Sequence, residues 1–152
     1  MTGLKTLPFL ISILTVVTAD TEKIQFNLNG NIYQRIDIQM TWSGAVEYCR
    51  KLGGHLVTIT SGEENEFIYK HFGIDGVNIW IGATDESVEG NWQWITGEPF
   101  VYNNWATRMP DDVSQGQDYA IFWDLDPGRW DDNGLPLSNA SNIFICEWEP
   151  IF

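Results

Sequence analysis

The sequence predicts an α+β fold made of two helices, several short strands and one long irregular stretch. Along 42–52, Trp42, Ala45, Val46, Cys49 and Leu52 fall at helical spacing on one face. Ser61 and Glu64 form an S-x-x-E capping signature, which starts a second helix running to about Phe72. Between Trp94 and Ile143 the chain is rich in Gly, Pro, Asn and Asp and keeps no helical or strand period. So long an irregular stretch in a compact domain is usually functional or disordered.

Each element has its own local cause. The 24–40 region is strand-like, with Ile32, Arg35, Ile36 and Ile38 mixing apolar and polar positions. The first helix follows and stops at Gly53-Gly54. Residues 55–59 are rich in β-formers and lead to the capping signature. Phe67, Ile68 and Phe72 give the second helix a buried side. Residues 78–82 read as a strand, and Trp92 and Trp94 alternate on one face within 91–95. The last apolar run, 143–148, reads as the final strand.

Length and composition narrow the function classes. A chain of 152 residues suits one domain with a single core. It is 43% hydrophobic with 8 Trp, 8 Phe and 5 Tyr, enough apolar mass to exclude a disordered chain. Its net charge of −13 repels nucleic acid and attracts cations.

Residues 1–19 differ in character from the rest. Lys5 precedes an uncharged stretch over 7–17, and Val17-Thr18-Ala19 supplies small residues behind it. This is the pattern of a secretory signal peptide. Eleven helical residues rise only about 16 Å, short of a bilayer core of roughly 30 Å. We therefore expect a signal peptide at 1–19, one domain at 20–152, a secreted product and no membrane span. Export favours pairing of the two cysteines, Cys49 and Cys146, with two buried free thiols as the alternative.

Between Asp85 and Asp132 stand eleven acids and two bases, Arg108 and Arg129. A solvated acidic face is one reading, and a bound cation is the other. Hard oxygen donors, with no cysteine or clustered histidine among them, suit calcium far better than zinc. Asp124-x-Asp126-x-Gly128 superficially has the start of a helix–loop–helix calcium loop, but the later positions are wrong. No nucleophile elbow, phosphate loop or H-E-x-x-H motif is present, so we do not expect an enzyme. Asn139-Ala140-Ser141 fits an N-glycosylation acceptor.

The order of landmarks carries a resemblance. Thr41-Trp42 with Cys49, then Gly53-Gly54-His55-Leu56-Val57 and the Ser61 capping box, lead to Trp80-Ile81-Gly82-Ala83. Asn91-Trp92-Gln93-Trp94, Trp130-Asp131-Asp132 and Ile145-Cys146-Glu147 follow. This succession resembles the C-type lectin-like domain in its short form. The resemblance implies a C-type lectin-like fold, with two helices, a small antiparallel sheet and a long calcium-stabilised loop region. It also places a second, inner disulfide at positions occupied here by Tyr119 and Leu135, where an apolar contact would have to serve instead.

The resemblance assigns the acids to two sites. The first draws on Asp85 and Glu89 of the T-D-x-x-x-E run, on Asp112 and on Asp118, with the backbone carbonyl of Gln117 able to join. The second is the site through which sugar-binding relatives hold calcium and sugar hydroxyls together. Here it would comprise Asp111, Gln117, Asp131 and Asp132, which we expect to be both metal and ligand contacts. Met109 stands where relatives carry an acid or amide, and its thioether is a poor calcium ligand. Pro110 matches a family proline that is cis, an ordinary trans turn being the alternative. Phe100, Tyr102, Trp123 and Trp130 lie near the acids and are candidates to stack on a sugar. The function so implied is calcium-dependent binding of a carbohydrate or glycoconjugate. The alternative keeps the fold and first site but binds a protein surface.

Overall fold

The computed structural model describes residues 25–72, 76–113, 116–134 and 141–150. The leader-like segment, Leu135 and the Asn139 acceptor lie outside those residues. The 24–40 region is a hairpin, β1 (Gln25–Leu28) with β2 (Asn31–Met40). Its turn is Asn29-Gly30, both at positive φ (53° and 98°), the geometry an Asn-Gly pair favours between antiparallel strands.

Helix α1 (Trp42–Lys51) begins where the Thr41 hydroxyl accepts the Gly44 amide at 3.2 Å. Leu52, expected as its last residue, is the C-cap, and Gly53 leaves at φ 83°. The apolar face read from the sequence buries Trp42, Ala45 and Cys49. Only His55–Leu56 of the next stretch form a strand, β3. Helix α2 (Gly62–Phe72) has half of the expected capping box. The Ser61 hydroxyl accepts the Glu64 amide at 3.2 Å, but the Glu64 carboxylate accepts the Thr60 amide at 2.7 Å. Its other oxygen accepts the Tyr33 hydroxyl at 2.6 Å, which draws Glu64 into the interior.

Strands β4 (Ile79–Thr84) and β5 (Gln93–Trp94) follow. The stretch read as irregular contains two further strands, β6 (Tyr119–Phe122) and β7 (Trp130–Asn133), and β8 (Asn142–Trp148) closes the order. The strand order is β1-β2-β8-β4-β6-β7, with β3 on β8 and β5 on β4. The sheet is larger than expected and mixed, because β4 runs parallel to β8 through Ile79↔Ile143 and Trp80↔Phe144.

Cys49 and Cys146 are joined, fastening α1 to β8 inside an apolar cluster with Trp42, Trp80 and Phe144. A second cluster gathers Tyr33, Ile68, Trp92, Trp94, Phe122 and Trp130. Gly54 marks how tightly the parts meet. A Cβ there would run into the Glu147 carbonyl oxygen and lie 2.8 Å from Trp148 Nε1. Gly54→Ala is therefore expected to cost about 1–3 kcal/mol through overpacking. Urea unfolding measures this, and an unchanged midpoint would contradict the close approach.

Candidate metal centre

The acid-bearing loops are positioned by β4, β6 and β7. β4 and β6 run antiparallel, with Thr84 opposite Tyr119, so the next residues, Asp85 and Asp118, are neighbours across the strands. The Asp85 amide donates to the Asp118 carbonyl at 3.2 Å. A turn then returns Glu89 to the same place, since Val88 donates to the Asp85 carbonyl and the Gly90 amide to Asp85 Oδ2 at 2.8 Å.

The result is that Asp85, Glu89 and Asp118 each offer an oxygen within 4.8 Å of the others. Among the described residues no other set of three or more carboxylate, imidazole or thiol groups meets so closely. No Lys, Arg or His of the described residues forms an ion pair with these acids. All three carboxyls are pushed up. Asp85 rises through burial, Glu89 through desolvation and then the Asp85 and Asp112 charges, and Asp118 through desolvation and then the Asp85 charge. Asp85 is 2% exposed, and its Oδ1 is buried with no hydrogen-bond partner. A buried carboxylate oxygen without a partner is costly to leave unsatisfied.

Asp112 stands beside this set, close enough for its charge to act on Glu89 and Asp118. Its own Oδ1 is occupied, accepting the Gly116 amide at 2.6 Å and the Gln117 amide at 3.1 Å. The side chain thus closes its loop, with its backbone held at φ 42°, a region Asp tolerates better than most residues.

The second expected group is organised around Asp132, which is 1% exposed. Its Oδ1 accepts the Asp111 amide at 2.9 Å and its Oδ2 the Asp112 amide at 2.7 Å. Asp131 Oδ1 accepts the Asp132 amide at 2.9 Å, and Gln117 Nε2 donates to the Asp132 carbonyl at 2.8 Å. Gln117 Oε1 is buried and without a partner. Burial, then the neighbouring Asp132 charge, pushes the Asp131 carboxyl up to about 7. The Met109–Pro110 bond at the head of this loop is cis.

Over residues 38–148 the chain matches the lectin C-type domain. The chain belongs to the C-type lectin domain family. Asialoglycoprotein receptor 2 of Mus musculus is 36% identical over 115 residues, covering 71% of this chain and 35% of the receptor. The chain spans about a third of the length of such receptors. Among solved structures, the mouse scavenger receptor C-type lectin carbohydrate-recognition domain superposes with a TM-score of 0.74 at 32% identity. That match covers 84% of this chain and 95% of the mouse domain. A calcium-independent type II antifreeze protein superposes with a TM-score of 0.73 at 28% identity, covering 91% and 98%. A calcium site in a member of this family must therefore be argued from its residues as well as its fold.

C-type lectin domains are in general carbohydrate-binding modules rather than enzymes. No helix of the described residues is long and apolar enough to cross a membrane. Within this lectin domain the aromatic candidates divide. Trp130 is fully buried, so it cannot stack on a ligand as the sequence suggested. Its ring meets Trp94, Tyr102, Trp105 and Phe122 edge-on, and its Nε1 donates to Asn65 Oδ1 at 2.8 Å. Phe100, Tyr102 and Trp123 are partly buried.

Sequence reasoning also missed a buried polar network around Glu147. This carboxylate is 2% exposed and accepts Asn31 Nδ2 at 2.8 Å and the Thr58 amide at 3.0 Å. Burial pushes it up to about 7. The signal was a charge inside the apolar run of β8.

Proposed function

We propose that this C-type lectin domain is an exported, calcium-dependent carbohydrate-binding module. The supporting observation is the orphaned Oδ1 of Asp85 in a set of three carboxylates that no basic side chain of the described residues pairs with. Asp85, Glu89 and Asp118, with Asp112 beside them, would hold the ion. A bound calcium would supply positive charge and accept six to eight oxygens. The protein residues do the rest. Asp132 gathers the Asp111 and Asp112 amides and so fixes the loop bearing Met109-Pro110. Asp111, Gln117 and Asp131 then form the proposed ligand edge, with the buried Asp132 holding it from behind. Export is supported by the leader-like 1–19 segment and the Cys49–Cys146 disulfide.

The names of the receptor relatives suggest a desialylated glycoprotein as the first probe. Binding to an immobilised asialoglycoprotein is expected in calcium and is expected to vanish in chelator. Asp85→Asn should lose the calcium-dependent binding. Calcium at a hundredfold excess over its dissociation constant should add about 2.7 kcal/mol of stability. A chelator that leaves both Tm and glycoprotein binding unchanged would sink the proposal. Met109 favours one second reading, a protein ligand on the same calcium-held edge, because a thioether is a poor partner for calcium or a sugar hydroxyl. A full calcium-induced Tm shift without glycan binding would select it.

A further inference from the structure

Tyr119 occupies a junction that the metal set does not explain. It lies in β6 next to Asp118, opposite Thr84 of β4 on one side and Asn133 of β7 on the other. Its ring stacks on Trp42, the first residue of α1, with centroids 4.6 Å apart and planes inclined by 17°. Trp42 is itself pinned, its Nε1 donating to the Ile81 carbonyl of β4 at 2.9 Å. The edge of Trp80 meets the same tyrosine ring at 6.2 Å.

The space for this ring depends on Gly134. A Cβ at that position would lie 2.6 Å from Tyr119 Cδ2, nearer than side chains approach. Gly134 also sits at φ 113°, where a side chain is strained. On the remaining side the Glu86 carboxylate is within hydrogen-bonding reach of the Tyr119 hydroxyl. Glu86 follows Asp85 directly. One side chain therefore touches α1, the turn after β4 and the end of β7.

We infer that Tyr119 is a positioning residue for the metal set: its ring, stacked on Trp42 and fitted over Gly134, keeps Asp118 beside Asp85. This rests on the calcium reading proposed above. Partners that orient metal ligands from behind change affinity by about 10–100-fold when removed, and the lower figure suits a residue that acts through the strand.

Four variants of the full chain test it. Tyr119→Leu and Gly134→Ala remove the same fit from opposite sides. Each is expected to lower calcium affinity about tenfold by isothermal titration, and to speed hydrogen exchange at the Asp85 amide in chelator. Tyr119→Phe keeps the ring and should stay close to the parent protein in both. Ala45→Gly, which weakens buried α1 away from the acids, should lower Tm with neither effect. The inference is overturned if Tyr119→Leu retains parental calcium affinity, or exchanges the Asp85 amide no faster than Ala45→Gly does. Should Tyr119→Leu fail to fold, Gly134→Ala against Tyr119→Phe makes the same comparison. A parent protein that takes up no calcium would end the calcium reading by itself, and the exchange comparison in chelator would still decide the role of Tyr119.

Discussion

Asp132→Ala is expected to cost about 3–5 kcal/mol in calcium-free urea unfolding, more than any other single truncation among the proposed ligands. The carboxylate is buried and accepts two backbone amides, Asp111 at 2.9 Å and Asp112 at 2.7 Å. Hydrogen bonds to a charged group contribute about 1.5–3 kcal/mol each. Alanine would leave both donors without that acceptor. The bond from Gln117 Nε2 goes to the Asp132 backbone carbonyl and should survive. Asp132→Asn is expected to lose about half as much, because an amide has one oxygen to offer and turns an N–H toward the other donor. The same substitutions should weaken calcium binding by freeing the Asp112 loop. A loss below about 1 kcal/mol for Asp132→Ala would show that the loop is held by something other than this carboxylate.

The two helices were legible because their signals are local. Apolar spacing placed the α1 face, and Ser61 placed the α2 start, to within one residue. β6 and β7 escaped for a physical reason. Each has four residues, Tyr119–Phe122 shows no alternation, and Trp130–Asn133 carries two acids and an asparagine. β6 is a strand by virtue of β4, far away in sequence, and β7 by folding back on β6 across residues 123–129. The same holds for the metal set. Asp85 and Asp118 are neighbours through the register of β4 on β6, which periodicity cannot reveal, so only the resemblance brought them together beforehand.

Residue type alone also cannot separate an aspartate that awaits a cation from one that closes a loop. Asp85 keeps a bare buried oxygen, whereas one oxygen of Asp112 already serves two amides. Trp130 shows the same limit among aromatics. Its place beside two acids suggested a ligand platform, but the indole N–H finds Asn65 on α2 and the ring is fully buried.

Calcium is expected to invert the pH dependence of stability. Asp85, Glu89, Asp118, Asp131 and Glu147 are all raised, chiefly by loss of solvent. A carboxyl raised in the folded state binds protons more tightly there than in the unfolded chain. Its stabilisation is fully present below the ordinary carboxylate range of about 4 and is lost as pH rises through the folded value, about 7 for Asp131 and Glu147. In chelator, Tm should therefore be higher at pH 5 than at pH 8. Calcium reverses the order, because it binds the deprotonated carboxylates and is displaced by protons. With saturating calcium, Tm should rise from pH 5 to pH 8, and the two curves should cross between. Glu147 lies outside the metal set, and its share, on the order of 3 kcal/mol, opposes the rise in both conditions. Glu147→Gln should consequently flatten the fall in chelator and steepen the rise in calcium. A chelated protein that grows more stable between pH 5 and pH 8 would mean that the buried acids are already compensated without a metal.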